Sequence, residues 1–382
     1  MSRAFAVVRP DDATTLLLRA CLLDGDKAQN AFWEWLDRVD DPFAALRSGP
    51  WRAKTVLPLL HANLRRVQCR PDDPAFRSHL RAANERERLR TAPHREVVRS
   101  VLDTMAADGH TLRLLASGVL AETAYPAPEL RHCYGVELVV HGHEIEDVAR
   151  TLQRVATPSP DDASLLVHVT TVPIRLRTRI APACFSTSRP DAEFVSAPDY
   201  VYGIPCLVLP PEQMLVQICT EAFCSGVASG DVTWITDAWF AHAAAPELDW
   251  DMFTTIVDDR RLHIPVATIL SYLARDIGLP VPEHTIADLD RVAGRASRTE
   301  RDLALSFVWP AARRSIGPGS RKRLAPRVAM AFARSRLAPV PGFLRATQDV
   351  DTSLDLVLAY ARRPLRFARR HVPFLRRRQT PK

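Results

Sequence analysis

Between Leu112 and Val140 the chain reads LRLLASGVLAETAYPAPELRHCYGVELVV. Two apolar runs, at residues 112–115 and 136–140, bracket a small-residue turn (Ala116, Ser117, Gly118), a short helical segment and a loop marked by Pro126 and Pro128. Short apolar runs bounded by turn signals suit buried strands. A strand that passes into a helix through three small residues leaves its carboxyl end open, and ligands in α/β folds gather at such ends. This stretch therefore predicts a strand–turn–helix–strand core. Any site in it would lie at Ser117, Gly118 and the start of the second strand.

The rest of the chain reads as helices around that core. Asp11 and Asp12 offer a cap to a helix carrying Leu16, Leu17, Ala20 and Leu23. Phe32, Trp33, Trp35, Leu36 and Val39 fit a second amphipathic helix, and residues 51–64 a third, which Pro58 shifts or kinks. After a break at CRPDDP (residues 69–74), residues 80–105 are expected to be helical in two pieces around Pro93. Beyond the second strand, Ile145, Val148, Ala149, Leu152 and Val155 recur at helix spacing. A Pro/Asp loop at 158–162 leads to a third strand, LLVHV, at 165–169. Residues 194–209 hold more strand, with Gly203 at a turn, and helices resume from Pro210.

A chain of 382 residues can hold more than one compact unit. The expected organisation is an α+β fold: a small mixed sheet flanked by N- and C-terminal helical subdomains. The units are a helical subdomain at 1–92, an α/β core at 93–209, a helical domain at 210–316 and a basic tail at 317–382. Thirty prolines against fourteen glycines favour short helices with stiff connections. Seven cysteines, with no C-x-x-C pair, read as reduced thiols, many of them buried. No apolar run is long enough to cross a bilayer, and MSRAFAVVRPDD is no signal peptide, so a cytoplasmic setting is expected.

The net charge of +7 comes wholly from one end: sixteen Arg or Lys stand against three Asp from Gly319 onward, so the rest of the chain is net acidic. From Arg362 to Lys382 the basic residues are interleaved with Leu365, Phe367, Val372, Phe374 and Leu375. A solvated basic end ranks first for this segment. An anionic lipid surface at the inner face of the membrane follows, and nucleic acid comes last. No Walker loop, G-x-G-x-x-G, G-x-S-x-G or H-E-x-x-H is present, so other enzyme classes gain no motif support.

Ordered landmarks carry a resemblance. Leu114-Leu115-Ala116-Ser117-Gly118-Val119-Leu120 is followed by Tyr125-Pro126, Leu130-Arg131 and Gly135-Val136-Glu137-Leu138-Val139-Val140. Further on come His168, Pro211-Glu212-Gln213, Trp234-Ile235-Thr236-Asp237 and Asp249-Trp250-Asp251. This order resembles the bacterial uncharacterised nucleotidyltransferase family, a branch of the polymerase-beta-like superfamily. The likeness runs from about Leu16 to Pro282.

In that superfamily two carboxylates spaced D-x-D on one strand hold Mg²⁺ and a nucleoside triphosphate, and a third on a neighbouring strand activates the acceptor. Alternate strand residues share a face, so D-x-D presents paired oxygen donors, as two Mg²⁺ ions in line require. The resemblance implies Glu137 as the surviving metal and catalytic carboxylate and His168 as the family histidine. It implies Ser117, Gly118 and Gly135 as the cofactor-binding turn and strand start. Gly135 stands where the first metal-binding Asp belongs, Ala116 replaces a Lys, and Leu166 stands at the third carboxylate. The leading expectation is a nucleotidyltransferase relative with lost or weakened catalysis, binding a nucleotide or a protein partner. The alternatives are an active Mg²⁺-dependent transferase and a membrane-peripheral scaffold acting through its tail. His132, Cys133, His141, His143 and Glu144 are a weaker, separate metal-site candidate.

Overall fold

The alternation of apolar residues predicts strands, and seven segments pair into one sheet. The structure is a computed structural model. It describes residues 5, 8–48, 51–141, 144–153, 157–159, 165–169, 172–177, 197–226, 229–315 and 318–337, with 352–354, 357–358 and 360–362. The strands are β1 (Arg113–Leu114), β2 (Val136–Val139), β3 (Thr157–Ser159), β4 (Leu165–Val169), β5 (Val172–Arg177), β6 (Ala197–Val201) and β7 (Ile204–Val208). Their order in the mixed sheet is β3-β4-β5-β2-β1-β7-β6. β2 lies antiparallel to β1 and parallel to β5. β6 and β7 form a hairpin whose turn residues, Tyr202 and Gly203, both take positive φ (57° and 77°), as a type I′ turn requires.

Two strands depart from expectation. β5 was not foreseen, although VPIRLR alternates cleanly: Val172, Ile174 and Leu176 are buried, and Arg175 and Arg177 lie on the opposite face. Pro173 and the two arginines disguise it. β3 falls at the start of the expected Pro/Asp loop: Pro158 pairs with Val167 on the edge strand of the sheet, where proline is tolerated. Residues 160–162 of that loop lie outside the described residues.

The N-terminal helices are α1 (Asp12–Leu22), α2 (Gly25–Arg38), α3 (Pro42–Ser48) and α4 (Leu57–Arg66). Asp11 caps α1, accepting the Thr14 N–H at 2.8 Å. Pro58 sits in the first turn of α4, where its missing N–H is harmless, so it starts that helix instead of kinking it. α5 (Pro74–Ala107) is one helix of 34 residues, not two pieces, with Pro93 inside it. Packing on both sides of the proline outweighs the lost hydrogen bond: Phe76, Leu80 and Ala83 are buried before it, and Val98, Val101, Leu102 and Met105 after it. The expected boundary between residues 92 and 93 thus falls within a continuous helix.

α6 (Ala116–Thr123) and α7 (Ile145–Gln153) flank the sheet. The C-terminal helices are α8 (Pro211–Glu221), running into a π turn at Ala222–Gly226, then α9 (Thr233–Ala244), α10 (Trp250–Asp259), α11 (His263–Tyr272), α12 (Glu283–Arg295), α13 (Arg298–Ser315) and α14 (Pro318–Leu337). One continuous apolar core joins all of this, from Phe32, Trp35 and Phe76 through Leu114 and Leu138 to Leu215, Phe253 and Tyr272. The free cysteines Cys21, Cys69, Cys133, Cys206 and Cys219 are buried, and burial pushes the Cys21 and Cys219 thiols up. Among the described residues no helix is long and apolar enough to cross a membrane.

His94, beside Pro93, is buried, and its Nε2 has no hydrogen-bond partner among the described residues. Burial, then the Arg90 charge, lower its imidazole from 6.5 to about 4. The unfolded chain therefore takes up a proton there that the folded chain refuses. This contribution to stability is expected to be complete above pH 6.5 and to be lost as pH falls toward about 4. Urea unfolding at several pH values checks it: His94→Gln should flatten the slope across that window.

Candidate functional site

The face of β2 opposite the core carries Glu137, and the parallel register sets Arg175 of β5 directly beside it. Around them opens a cavity of about 330 Å³. Its walls come from the start of α6 (Ala116, Ser117), the strands (Gly135, Glu137, Arg175, Arg177), α8 (Gln217, Glu221), the segment before α9 (Asp231) and Arg52. One oxygen of the Glu137 carboxylate accepts a charge-assisted bond from Arg177 Nη2 at 2.9 Å and lies 3.4 Å from Arg175 Nη1. Arg177 also bonds Glu221, so one guanidinium ties the sheet to α8. Burial pushes the Glu137 carboxyl up, with Arg177 and Arg175 opposing and Glu221 adding to the rise. Burial also disfavours the Arg177 charge, but Glu221 and Glu137 outweigh it and hold Arg177 protonated.

Mg²⁺ does not fit this donor set. The ion needs several hard oxygens in a tight octahedron. Here the one carboxylate on β2 is already met by two guanidiniums. The partner position is closed by backbone: an added Cβ on Gly135 would run into the Pro173 carbonyl oxygen and lie 2.7 Å from Pro173 Cγ. A side chain at position 135 is therefore excluded by how β5 packs on β2. Among the described residues, no group of three or more His, Cys, Asp and Glu is placed to hold a metal ion. His132 is bonded to Glu87 at 2.9 Å, and Glu144 accepts the His141 N–H at 2.9 Å. His143 lies outside the described residues.

The neighbour of Glu137 on the third-carboxylate side is β5, not β4. Leu166 pairs with Arg175 and so lies one strand further out. The position that would carry the third acid next to Glu137 is occupied by Arg175. His168 lies on β4, opposite Pro173, and its side chain is outside the described residues.

The α6 turn is not an open nest of amides. Ala116 N–H donates to Gln217 Oε1 at 3.2 Å, and Gly118 N–H donates to Leu115 O at 2.9 Å. Gly118 faces Val136 and Leu114 in the core, not the cavity, so its smallness serves close packing against β2. Ser117 does line the cavity, and its buried Oγ has no partner among the described residues.

The remaining landmarks form a frame behind the cavity. Arg131 makes a two-pronged bond to Asp237 at 2.7 and 2.8 Å, with the two side chains only 6% and 8% exposed. Tyr125 donates to Asp237 at 2.8 Å or Thr236 at 2.7 Å, and Arg131 Nη1 donates to Ser117 O at 3.0 Å. Burial disfavours the Arg131 charge, and Asp237 more than offsets it. Glu212 accepts the Asp249 N–H at 3.1 Å, and Asp249 caps α10 through the N–H groups of Asp251 and Met252. These residues build the frame, whereas the sequence reading had treated them only as markers of kinship. It also missed Arg175, Arg177 and Glu221 altogether. Period-two alternation in VPIRLR was the available signal for the first two.

A mixed sheet with a small-residue turn into α6, an acidic position on β2 and helical flanks defines a nucleotidyltransferase-like α+β protein. The chain belongs to the uncharacterised nucleotidyltransferase family, whose model matches residues 51–276. No curated protein and no solved structure matches it. The tail beyond Arg362 lies outside the described residues.

Four outcomes follow from this geometry. Asp237→Ala leaves the Arg131 charge buried and unpaired, and should destabilise the fold by about 3–5 kcal/mol in urea unfolding. Arg131→Met combined with Asp237→Leu should cost less than the sum of the single changes. Gly135→Asp should lower stability by about 1–3 kcal/mol through overpacking against Pro173. Added Mg²⁺ should give that variant no rise in melting temperature.

Proposed function

We propose that this chain is a nucleotidyltransferase-family protein whose cleft binds a nucleotide without carrying out Mg²⁺-dependent transfer. The observation that supports this reading most directly is the Glu137–Arg177–Glu221 chain, with Arg175 beside it. Carboxylates that would cage a cation are here bonded to cations of the protein itself. The closure of the Gly135 position by Pro173 points the same way, since the D-x-D pair cannot be completed without moving β5. The chain's own residues retain a cavity of about 330 Å³ at the family's site, a serine hydroxyl at the α6 turn and a rigid frame behind it. A cleft of that volume lies within the usual range for small-ligand sites.

Calorimetric titration with ATP and GTP, together with an assay for released pyrophosphate, tests the proposal. The expected result is saturable nucleotide binding with no pyrophosphate released, with or without Mg²⁺. Pyrophosphate release that depends on Mg²⁺ and disappears in Glu137→Ala would overturn it. So would the absence of nucleotide binding under every condition.

A further inference from the structure

Two residues of the cleft each carry a buried, unsatisfied polar atom. Ser117 Oγ and Arg177 Nε are shielded from solvent, and neither has a hydrogen-bond partner among the described residues. Both residues line the same cavity. A buried donor without an acceptor costs roughly 1–3 kcal/mol, so such pairs mark a place where an acceptor-rich ligand belongs.

The charge around them is arranged for an anion. Arg175 stands at the rim with its side chain 44% exposed, and its contact with Glu137 at 3.4 Å uses only one of its N–H groups. Glu137 has its closer bond from Arg177, at 2.9 Å. Arg52 reaches the cavity from the N-terminal helical layer, its backbone N–H fixed to Gly230 O at 2.7 Å. The acids that could repel an anion are engaged. Asp237 is held by Arg131, and Asp231 accepts from Thr233 N and Oγ1 at 3.1 and 2.7 Å. Glu221 is bonded to Arg177. Guanidinium forks match the oxygens of a phosphate group better than a point charge does.

We infer that Arg175 and Arg52 take the place of a metal, so that the cleft holds a phosphate group without any divalent cation. The ligand class is a phosphate ester, and a nucleotide is its expected form. In that respect the inference rests on the function proposed above.

The test is calorimetric titration of the full chain with ATP, adenosine and inorganic phosphate, each in EDTA and again with Mg²⁺. The inference expects ATP to bind in EDTA, adenosine to bind far more weakly, and Mg²⁺ to leave ATP affinity equal or lower, because the cation masks the phosphate charge. Arg175→Ala should weaken ATP binding by about tenfold or more, as loss of a charge-assisted bond predicts, and Arg175→Lys should restore part of it. Arg52→Ala should act in the same direction. Unchanged melting temperatures in these rim variants would show that the loss is not unfolding. ATP binding that needs Mg²⁺, or binding in EDTA that survives both alanine changes, would overturn the inference while leaving the nucleotide reading in place. Inorganic phosphate binding that Arg175→Ala weakens, with no preference for ATP, would support the anion site and overturn the nucleotide reading. No binding of ATP or phosphate would overturn both.

Discussion

The Arg131–Asp237 pair is the contact on which the rest of this structure depends. It joins the loop before β2 to α9, and Tyr125, Thr236 and the Ser117 carbonyl are bonded into the same knot. A buried ion pair is stable only when its geometry is good and its other polar atoms are satisfied. Here the guanidinium reaches both carboxylate oxygens, a main-chain carbonyl and the Cys133 sulfur at 3.3 Å. The knot therefore sets the position of the α6 turn relative to the C-terminal helices. That position, with β2 and β5, sets the shape of the cleft.

In front of this frame the acids of the cleft are paired with arginines. Pro173 packs against Gly135, and β5 places two arginines on the face that carries Glu137. The arginines compensate Glu137 and Glu221, whose charges would otherwise be buried close together. Each charge makes its neighbours tolerable, as the low effective dielectric of a half-buried cleft demands. A single added acid would not build a metal cage. Gly135→Asp lacks room, and removing Arg177 leaves two carboxylates uncompensated.

Much of the fold was legible in local pattern. The apolar runs at 112–115 and 136–140, the helix spacing before and after them, and the turn at Gly203 all correspond to elements of the structure. The errors have physical causes. Pro93 signals a break only when neighbouring packing is weak, and here buried residues on both sides carry α5 through. Pro158 reads as part of a loop, yet it sits on the edge strand β3. A single continuous core joins the helical layers to the sheet.

The sequence by itself determined the family and the α+β class, because these reside in residue identity and short-range periodicity. It also showed that Glu137 is the acid of β2. Only the tertiary structure decided what surrounds that acid. Strand order and register are non-local: β5, not β4, lies beside β2, and this brings Arg175 and Arg177, some forty residues away, within bonding distance of Glu137. Proximity across a sheet is set by pairing and not by separation along the chain. For that reason the pairing of the cleft's acids with the protein's own cations could be seen only in the folded protein.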